Sequence, residues 1–198
     1  MALLPSGLAK TGVVPFQIYP KTIDQSLRFE STDGASLSRT QTAGDTTEWT
    51  WSGWVKRANM SEGNTWQCIF SASGYDMLRY RISDGRLEFY LYPDYVFYTN
   101  DVFRDPSAWY HVVLRYDSSN TVGSERVVMW VNGKRVTWSL YQTPSSGYNS
   151  STNESGQIFR LGTYDNTNYH FNGYMAEVHF TDGTAYDADT FGELKSGI

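Results

Sequence analysis

The dipeptide Asn132-Gly133 constrains the fold of this chain more than any other local feature. It separates two runs rich in β-branched and aromatic residues, 126–131 and 134–138. A type I′ turn needs positive φ at both central residues, which Asn and Gly adopt more readily than other residues. A third extended run, 109–117, precedes this unit. The sequence therefore predicts a β-hairpin with a further strand close by.

The same two-residue period continues along most of the chain. Residues 78–83 and 86–91 flank Asp84-Gly85, which predicts a second two-residue hairpin. The apolar residues of its second strand alternate with polar ones and would share one face: Leu87, Phe89 and Leu91. Helical periodicity is weak throughout, apart from a turn or two at 188–194. Many short strands with turn signals between them predict an all-β sandwich or barrel.

Charge, length and cysteine content exclude several classes of protein. The 198 residues suffice for one all-β domain with a sizeable core. A net charge of −5 argues against nucleic-acid binding, which needs clustered Lys and Arg. No apolar run reaches membrane-spanning length, and residues 1–7 lack the pattern of a secretory signal. The single cysteine, Cys68, cannot form an internal disulfide, and its apolar strand predicts a buried thiol.

Residues 1–25 differ from the rest of the chain, because prolines and glycines punctuate short apolar pieces. This pattern disfavours a helix and favours extended chain. The segment is either a disordered terminus or a docking arm that orders on a partner, and its apolar content favours the arm. The apolar residues of the arm are Val13, Val14, Phe16, Ile18 and Tyr19. Residues 26–198 would form a single domain.

Four pieces of sequence follow one another in an order that is typical of one superfamily. They are Ser26-Leu27-Arg28-Phe29, Trp51-Ser52-Gly53-Trp54-Val55-Lys56, the stretch 109–134, and Phe171-Asn172-Gly173-Tyr174-Met175-Ala176-Glu177-Val178. Together they resemble the concanavalin A-like lectin/glucanase superfamily and, more closely, its laminin G-like (LamG) domains. The resemblance implies that residues 26–198 form a two-sheet antiparallel jelly-roll sandwich, preceded by the extended N-terminal arm.

A narrower likeness rests on residues 37–40, 48–57, 176–183 and 191–193. These pieces resemble LamG-type proteins of tailed bacteriophages. The resemblance implies a non-enzymatic structural protein of the virion surface, made in the host cytoplasm. We expect a capsid (head) decoration protein that binds the major capsid protein or another virion protein as a homo-oligomer, for example a trimer. The alternative is a tail-fibre or tail-tip adhesin that binds host surface polysaccharide. The chain lacks heptads and repeats of a fibre shaft, which favours the head.

Glucan-cleaving members of the superfamily carry catalytic carboxylates in the pattern E-x-D-x-x-E on one strand. The first two of those carboxyls alternate along the strand and so point into the same cleft. Here the strand with Glu177 and His179 offers a single carboxylate. Asp187 and Asp189 have the right spacing, but they lie in a terminal turn where capping explains them better. The sequence therefore predicts a protein that is not an enzyme.

Metal ligands do not converge in any recognisable motif. The histidines, His111, His170 and His179, lack the spacing of a zinc site. Residues 162–168 supply Asp and Asn oxygens of the kind that Ca²⁺ prefers. The same side chains make turns by bonding to nearby backbone amides, and this explains them better than calcium does. We predict no cofactor.

Aromatic side chains in or near loops are the candidates for carbohydrate or partner contact. A sugar site combines aromatic faces with a few directional polar groups. The candidates are Tyr95, Phe97, Tyr98, Tyr141 and Tyr148. A two-sheet sandwich also needs many rings to fill its core, and exposed tyrosines equally suit contacts between proteins. Packing or subunit contact therefore ranks above sugar binding for these residues.

Overall fold

A computed structural model describes residues 25–60, 65–73, 75–165 and 167–192. The predicted docking arm, with Val13, Val14, Phe16, Ile18 and Tyr19, lies outside the described residues. In chain order the strands are β1 (Leu27–Phe29), β2 (Leu37–Thr40), β3 (Glu48–Arg57), β4 (Trp66–Ala72), β5 (Asp76–Arg81), β6 (Leu87–Leu91), β7 (Tyr95–Thr99), β8 (Tyr110–Asp117), β9 (Val127–Val131), β10 (Lys134–Arg135), β11 (Trp138–Tyr141), β12 (Ile158–Leu161) and β13 (Gly173–Asp182). Short 3₁₀ turns cover Gly123–Glu125 and Ala188–Thr190.

Two antiparallel sheets form the sandwich and confirm the predicted fold class. The six-stranded sheet has the order β1-β13-β3-β8-β9-β10. The seven-stranded sheet has the order β11-β7-β6-β5-β4-β12-β2. We call the face of each sheet that points to the other sheet its inner face, and the opposite face its outer face. Within the described residues, no helix is long and apolar enough to cross a membrane.

The Asn132-Gly133 hairpin is confirmed. Both residues have positive φ, 52° and 72°, and Val131 pairs with Lys134 across the turn. The run after the turn was predicted as one strand, which is wrong. It divides into β10, which stays in the six-stranded sheet, and β11, which pairs with β7 in the seven-stranded sheet. The chain therefore crosses from one sheet to the other at residues 136 and 137.

The Asp84-Gly85 hairpin exists, but its loop is longer than predicted. β5 ends at Arg81 and β6 begins at Leu87. The Gly85 N–H donates to the Arg81 carbonyl, and the Asp84 carboxylate accepts from the Arg86 N–H. Because the loop closes on Arg81 rather than on Ser83, the partner of each β6 residue shifts by two positions along β5. A shift by two leaves every side chain on the face that the sequence predicted.

Aromatic rings fill the space between the inner faces. Trp49 of β3 contacts Phe70 and Phe89 of the opposite sheet with ring centroids 6.2 and 5.9 Å apart. Trp51 lies 5.4 Å from Phe70. All of these side chains are fully buried. Edge and offset ring contacts of this kind add to the free energy gained from burial alone, so they fix how the two sheets sit on each other.

Residues 184–191 lie across the outer face of the six-stranded sheet. The hydroxyl of Thr50 on β3 donates to the Thr184 carbonyl and accepts from the Tyr186 N–H. Arg115 of β8 forms an ion pair with Asp187. Asp187 precedes the 3₁₀ turn as predicted, but its side chain makes no capping hydrogen bond, because the carboxylate faces Arg115 instead. This segment ties the end of the described chain to that sheet.

Candidate functional site

Most of the aromatic residues predicted for ligand contact belong to the core side of the seven-stranded sheet. Phe97 is fully buried on the inner face, so it offers no surface to a ligand. Tyr141 packs edge-on against Phe97 at 5.0 Å, and its hydroxyl donates to the Gly123 carbonyl. Tyr95 and Tyr148 pack against each other at 4.9 Å beside the core. The structure therefore gives these four residues packing roles.

Tyr98 is the one predicted residue that lies on the outer face of the seven-stranded sheet. It is half-buried, and it pairs with Glu88 of β6 across the ladder. The guanidinium of Arg81 lies 4.6 Å from the centre of its ring, and that of Arg86 lies 5.7 Å away. Tyr98 thus stands at the margin of a group of polar and aromatic side chains on this face.

The ladder shows which side chains share this outer face. One row crosses the sheet through Cys68, Arg79, Glu88 and Tyr98, which are paired strand by strand. A second row pairs Ser71 with Met77, and Met77 with Tyr90. Trp66 of β4 lies opposite Arg81 in a third. Because side chains alternate along a strand, these residues point away from the core.

A buried ion pair, Arg79 with Glu88, occupies the centre of the face. Only 8% of Arg79 and 5% of Glu88 remain exposed. The Arg79 Nε and Nη2 atoms both donate to Glu88 Oε1, the former at 2.9 Å. The other oxygen, Oε2, lies 3.9 Å from Arg81 Nε and accepts no hydrogen bond from the described residues. One charged oxygen is therefore held in place with capacity to accept a further donor.

Rings cover this ion pair. The Arg79 guanidinium lies 4.1 Å from the centre of the Trp66 ring and 5.4 Å from that of Tyr90. Both rings are half-buried. A cation stacked on aromatic faces gains electrostatic attraction while its charge stays desolvated. The rings and the ion pair thus hold each other in a fixed arrangement.

Further tyrosines extend the rings in both directions. On one side Tyr169 contacts Trp66 at 5.2 Å, and Tyr164 contacts Tyr169 at 5.3 Å. On the other side Tyr92 contacts Tyr90 at 6.2 Å, and Tyr75 contacts Tyr92 at 4.9 Å. We call this set the aromatic band: Tyr164, Tyr169, Trp66, Tyr90, Tyr92 and Tyr75. Tyr75 and Tyr92 are exposed, and burial raises the pKa of Tyr90 and of Tyr164. The hydroxyls of Tyr90 and Tyr164 therefore remain neutral at physiological pH.

The loop that carries Tyr164 and Tyr169 is held by its own polar side chains. The Asp165 carboxylate accepts hydrogen bonds from the backbone and side chains of Thr167 and Asn168. Ser71 on the outer face donates to the carbonyls of Thr163 and Tyr164. The Asp165 carboxylate, one of the groups considered for calcium, thus bonds to nearby backbone amides, as the sequence predicted for residues that make turns. Across the part of the chain that the structure describes, no cluster of three or more His, Cys, Asp or Glu side chains could hold a metal ion.

Two of the carboxylates on or beside this face, Glu88 and Asp84, are ion-paired. Glu88 pairs with Arg79, and Asp84 lies 3.4 Å from Arg81 and 3.3 Å from Arg86. Retaining and inverting glycosidases need one protonated and one ionised carboxyl on opposite sides of the bond that they cut. What the arrangement offers instead is ring surfaces, neutral hydroxyls and one fixed anionic oxygen. Such groups stack against sugar rings and hydrogen-bond to sugar hydroxyls.

The sequence-based choice of contact residues missed Trp66, Arg79 and Tyr90. The alternation of residues 86–91 already put Glu88 and Tyr90 opposite the apolar residues of their strand. Extending that pattern to β5 would have put Arg79 on the same face as Glu88 and Tyr90. In β4 a bulge between Cys68 and Phe70 interrupts the alternation, so the sequence pattern would have put Trp66 on the side of the core residue Phe70. The signal was therefore present for Arg79 and Tyr90 but not for Trp66, whereas position near a loop selected rings of the core.

Comparison with known proteins supports the fold on independent grounds. A family model, Laminin_G_3 of the concanavalin A-like lectin/glucanases superfamily, matches residues 29–189. Comparison with curated protein sequences finds no match.

Three solved structures illustrate the structural likeness. A Bacteroides ovatus protein assigned as carbohydrate-binding has a TM-score of 0.61 at 17% identity, with 83% of this chain and 44% of that one covered. Domain 4 of the GH43 extracellular arabinanase AbnA from Geobacillus stearothermophilus, in complex with arabinotriose, has a TM-score of 0.58 at 13% identity, covering 90% and 81%. Domains LG4-5 of the mouse laminin α1 chain have a TM-score of 0.56 at 12% identity, covering 92% and 48%.

The chain spans less than half the length of the Bacteroides protein and of the laminin fragment, and these identities establish a shared fold alone. The family model, by contrast, matches most of the chain, over the strands whose motifs resemble LamG domains. The chain belongs to the Laminin_G_3 family of the concanavalin A-like lectin/glucanase superfamily.

Proposed function

We propose that this chain is a non-catalytic carbohydrate-binding module that binds glycans on the outer face of the seven-stranded sheet. The observation that carries the proposal is the aromatic band around the buried Arg79–Glu88 pair. Sugar rings have apolar faces that stack on aromatic side chains, and their hydroxyls need a few directional partners. The aromatic band supplies the stacking surfaces. Glu88 Oε2 and the tyrosine hydroxyls supply the directional hydrogen-bond partners.

The relatives are consistent with this proposal. One solved neighbour is assigned as carbohydrate-binding, and another is a domain described in complex with arabinotriose. Fold alone does not establish function, so the proposal depends on the side chains of this chain. The ion pairing of Glu88 and Asp84 on the proposed face leaves binding without cleavage as the chemistry that we expect.

Glycan arrays of neutral and acidic oligosaccharides, followed by calorimetry on the best binder, test the proposal. Trp66→Ala removes one ring surface. A ring face covering about 75 Å², half of the roughly 150 Å² that an aromatic side chain can bury, contributes about 2 kcal/mol at about 25 cal/mol per Å². We therefore expect Trp66→Ala to weaken binding by roughly 25-fold.

A matched control is Trp130→Ala on the outer face of the six-stranded sheet. Trp130 is also half-buried, and Arg115 lies 5.4 Å from the centre of its ring, much as Arg79 lies over Trp66. The control variant should keep the affinity of the unmodified chain. Equal losses in both variants, or the absence of binding to any glycan, would contradict the proposal. Unchanged product profiles after incubation with polysaccharides would support the non-catalytic part.

The role in a phage particle is a finer proposal that rests on the resemblance of residues 37–40, 48–57, 176–183 and 191–193. Within a particle, a glycan-binding face suits the tail-fibre or tail-tip adhesin, which would bind host surface polysaccharide. Head decoration, docking on the capsid protein and a homo-oligomeric state stay predictions from the sequence. Copy number and position in purified particles separate the two roles, because an adhesin occurs in few copies at the tail and a decoration protein covers the head.

A further inference from the structure

A cluster of arginines lies at the corner of the seven-stranded sheet where β5 turns into β6. Arg81 ends β5, and Arg86 comes just before β6. The third member is Arg104, an exposed residue whose Nε donates to the Asp84 carbonyl at 3.0 Å. We call Arg81, Arg86 and Arg104 the arginine corner. The chain as a whole has a net charge of −5, so this corner is a local exception to its charge.

Carboxylates neutralise the arginine corner only in part. Asp84 lies 3.4 Å from Arg81 and 3.3 Å from Arg86, and Glu88 Oε2 lies 3.9 Å from Arg81. Among the described residues, no other carboxylate lies within ion-pair distance of the corner. Glu88 is already paired with Arg79 through its other oxygen. The guanidinium groups of the corner thus share the single charge of Asp84, which leaves the corner positive.

Arg81 is held in place and still has unused hydrogen-bond donors. Its guanidinium lies 4.6 Å from the centre of the Tyr98 ring, and its contacts with Asp84 and Glu88 are ion pairs without hydrogen bonds. Among the described residues, its side chain donates no hydrogen bond, and 29% of that side chain is exposed. A guanidinium carries its N–H donors in a planar fork that fits two oxygens of a carboxylate or sulfate. Arg81 can therefore bind an incoming oxyanion.

The corner adjoins the rings that we propose for sugar stacking. Arg81 pairs with Trp66 across the ladder between β5 and β4, on the same outer face. Side chains that oppose each other across an antiparallel pair have Cβ atoms about 5 Å apart. A sugar ring on Trp66 would therefore bring its substituents within reach of Arg81. Arg160 of β12, which pairs with Ser71, adds a further cation to this face.

The acidic residues near the aromatic band lie toward its two ends. Asp165 follows Tyr164 directly, and Asp94 comes two residues after Tyr92. The Asp165 carboxylate accepts hydrogen bonds from Thr167 and Asn168 and so carries its charge at that end. An anionic group on a bound glycan is therefore repelled from the ends of the band and attracted to the arginine corner.

We propose that the glycan bound on this face is acidic, and that Arg81 binds the carboxylate or sulfate group of a sugar stacked on Trp66. Arg86 and Arg104 add electrostatic attraction. This inference rests on the proposed function and specifies the ligand class of the same site. A uronic acid and a sulfate ester supply the same chemistry, an oxyanion that accepts two N–H donors. A neutral glycan would stack on the same rings and leave the donors of Arg81 unused.

Matched pairs of oligosaccharides test the ligand class on the unmodified chain. Each pair has one sugar backbone with and without its charge: oligogalacturonates with their methyl esters, and sulfated galactan oligosaccharides with their desulfated forms. We expect at least one acidic member to bind roughly tenfold more tightly than its neutral partner, which is the size of effect that a hydrogen bond to a charged group provides. The two kinds of pair show whether the site takes a carboxylate or a sulfate.

The outcomes separate this inference from the proposed function. Binding to neutral oligosaccharides alone, or equal binding of both members of every pair, would overturn the inference and leave the proposed function intact. Absence of binding to every oligosaccharide, neutral or acidic, would contradict the proposed function and the inference together.

The variant Arg81→Gln tests the residue. It removes the charge and the fork, so the affinity for the acidic member should fall roughly tenfold, to that of the neutral partner, whose own affinity should stay unchanged. Arg135→Gln is the matched control, because it removes the same charge from the six-stranded sheet, where Arg135 pairs with Glu125. Equal losses in the two variants would reduce the effect to net charge and overturn the role of Arg81. A loss of both members alike in Arg81→Gln would overturn it as well.

Discussion

The variant Asp76→Asn is expected to remove a pH dependence of stability that the buried carboxyl group of Asp76 causes. Asp76 begins β5 and is fully buried. Its Oδ2 accepts hydrogen bonds from the Ser150 hydroxyl at 2.5 Å and from the Thr152 N–H at 3.1 Å, and its Oδ1 accepts from the Tyr92 N–H at 3.2 Å. Burial disfavours the charge more than these donors favour it, so the pKa of Asp76 rises from 3.8 to about 6.

The sign of the effect follows from proton binding. Between about pH 4 and pH 6 the native state holds a proton on Asp76 that the unfolded chain has already released, so raising the pH in this window lowers the free energy of unfolding. The shift of about two pKa units corresponds to about 3 kcal/mol. Below the window the contribution of Asp76 is fully present, and above it the contribution is lost.

Denaturant unfolding of both proteins at a series of pH values measures this effect. The free energy of unfolding of the unmodified chain minus that of Asp76→Asn should fall by about 3 kcal/mol from about pH 4 to about pH 6.5. Taking the difference cancels every titration that the two proteins share. A difference that stays constant would refute the reasoning. A difference that grows with pH would show that the three donors outweigh burial.

Asp45→Asn provides a control of opposite sign. The Thr47 hydroxyl and its backbone N–H donate to the Asp45 carboxylate at the surface and lower its pKa. A lowered carboxyl pKa gives stability that is present above the unfolded value and is lost as the pH falls. The corresponding difference for Asp45→Asn should therefore increase with pH, in the acid range below about pH 4.

Three further predictions concern single residues. Burial lowers the pKa of His111 from 6.5 to about 4. The free energy of unfolding of the unmodified chain should therefore fall by up to about 3 kcal/mol relative to that of His111→Gln as the pH falls from about 6.5 to about 4. The same unfolding assay measures this difference. Gly173→Ala would force a Cβ onto the Lys56 carbonyl oxygen of the neighbouring strand and should lower the free energy of unfolding by about 1–3 kcal/mol. Gly147→Ala, with open space around it, should lower it by about 1 kcal/mol. Equal losses in the two variants would argue against the close approach of β13 to β3. Cys68 should resist a soluble thiol reagent in the native state and react fully in denaturant, and rapid native labelling would contradict its burial.

The strand pattern was predictable from the sequence because alternation and turn chemistry are local. Asn132-Gly133 predicted its turn correctly, since both positions need positive φ and only certain residues adopt it cheaply. Asp84-Gly85 predicted a turn at the right place with the wrong length. The dipeptide is compatible with two loop lengths, and the closing bond from Gly85 to Arg81 selects the longer one.

The candidate site was less predictable, because alternation separates two faces without saying which one meets the other sheet. Tyr95, Phe97 and Tyr141 were chosen for their position near loops, but the ladder puts Phe97 and Tyr141 in one inner row with Phe89. The Arg79–Glu88 pair joins residues nine positions apart through a register that the predicted two-residue loop would have displaced. Such a pair appears only once the loop length is known.

The path of residues 184–191 has a consequence for how the domain can be mounted. Gln25 lies two residues before β1, and Phe191 packs near His179 on the outer face of β13, so both ends of the described chain lie at the six-stranded sheet. The aromatic band lies on the opposite side of the sandwich. A surface, a bead or a neighbouring domain attached close to residue 25 or residue 192 would therefore leave the band directed outward, and the same domain could be displayed in many copies without hiding the face that we propose for glycans.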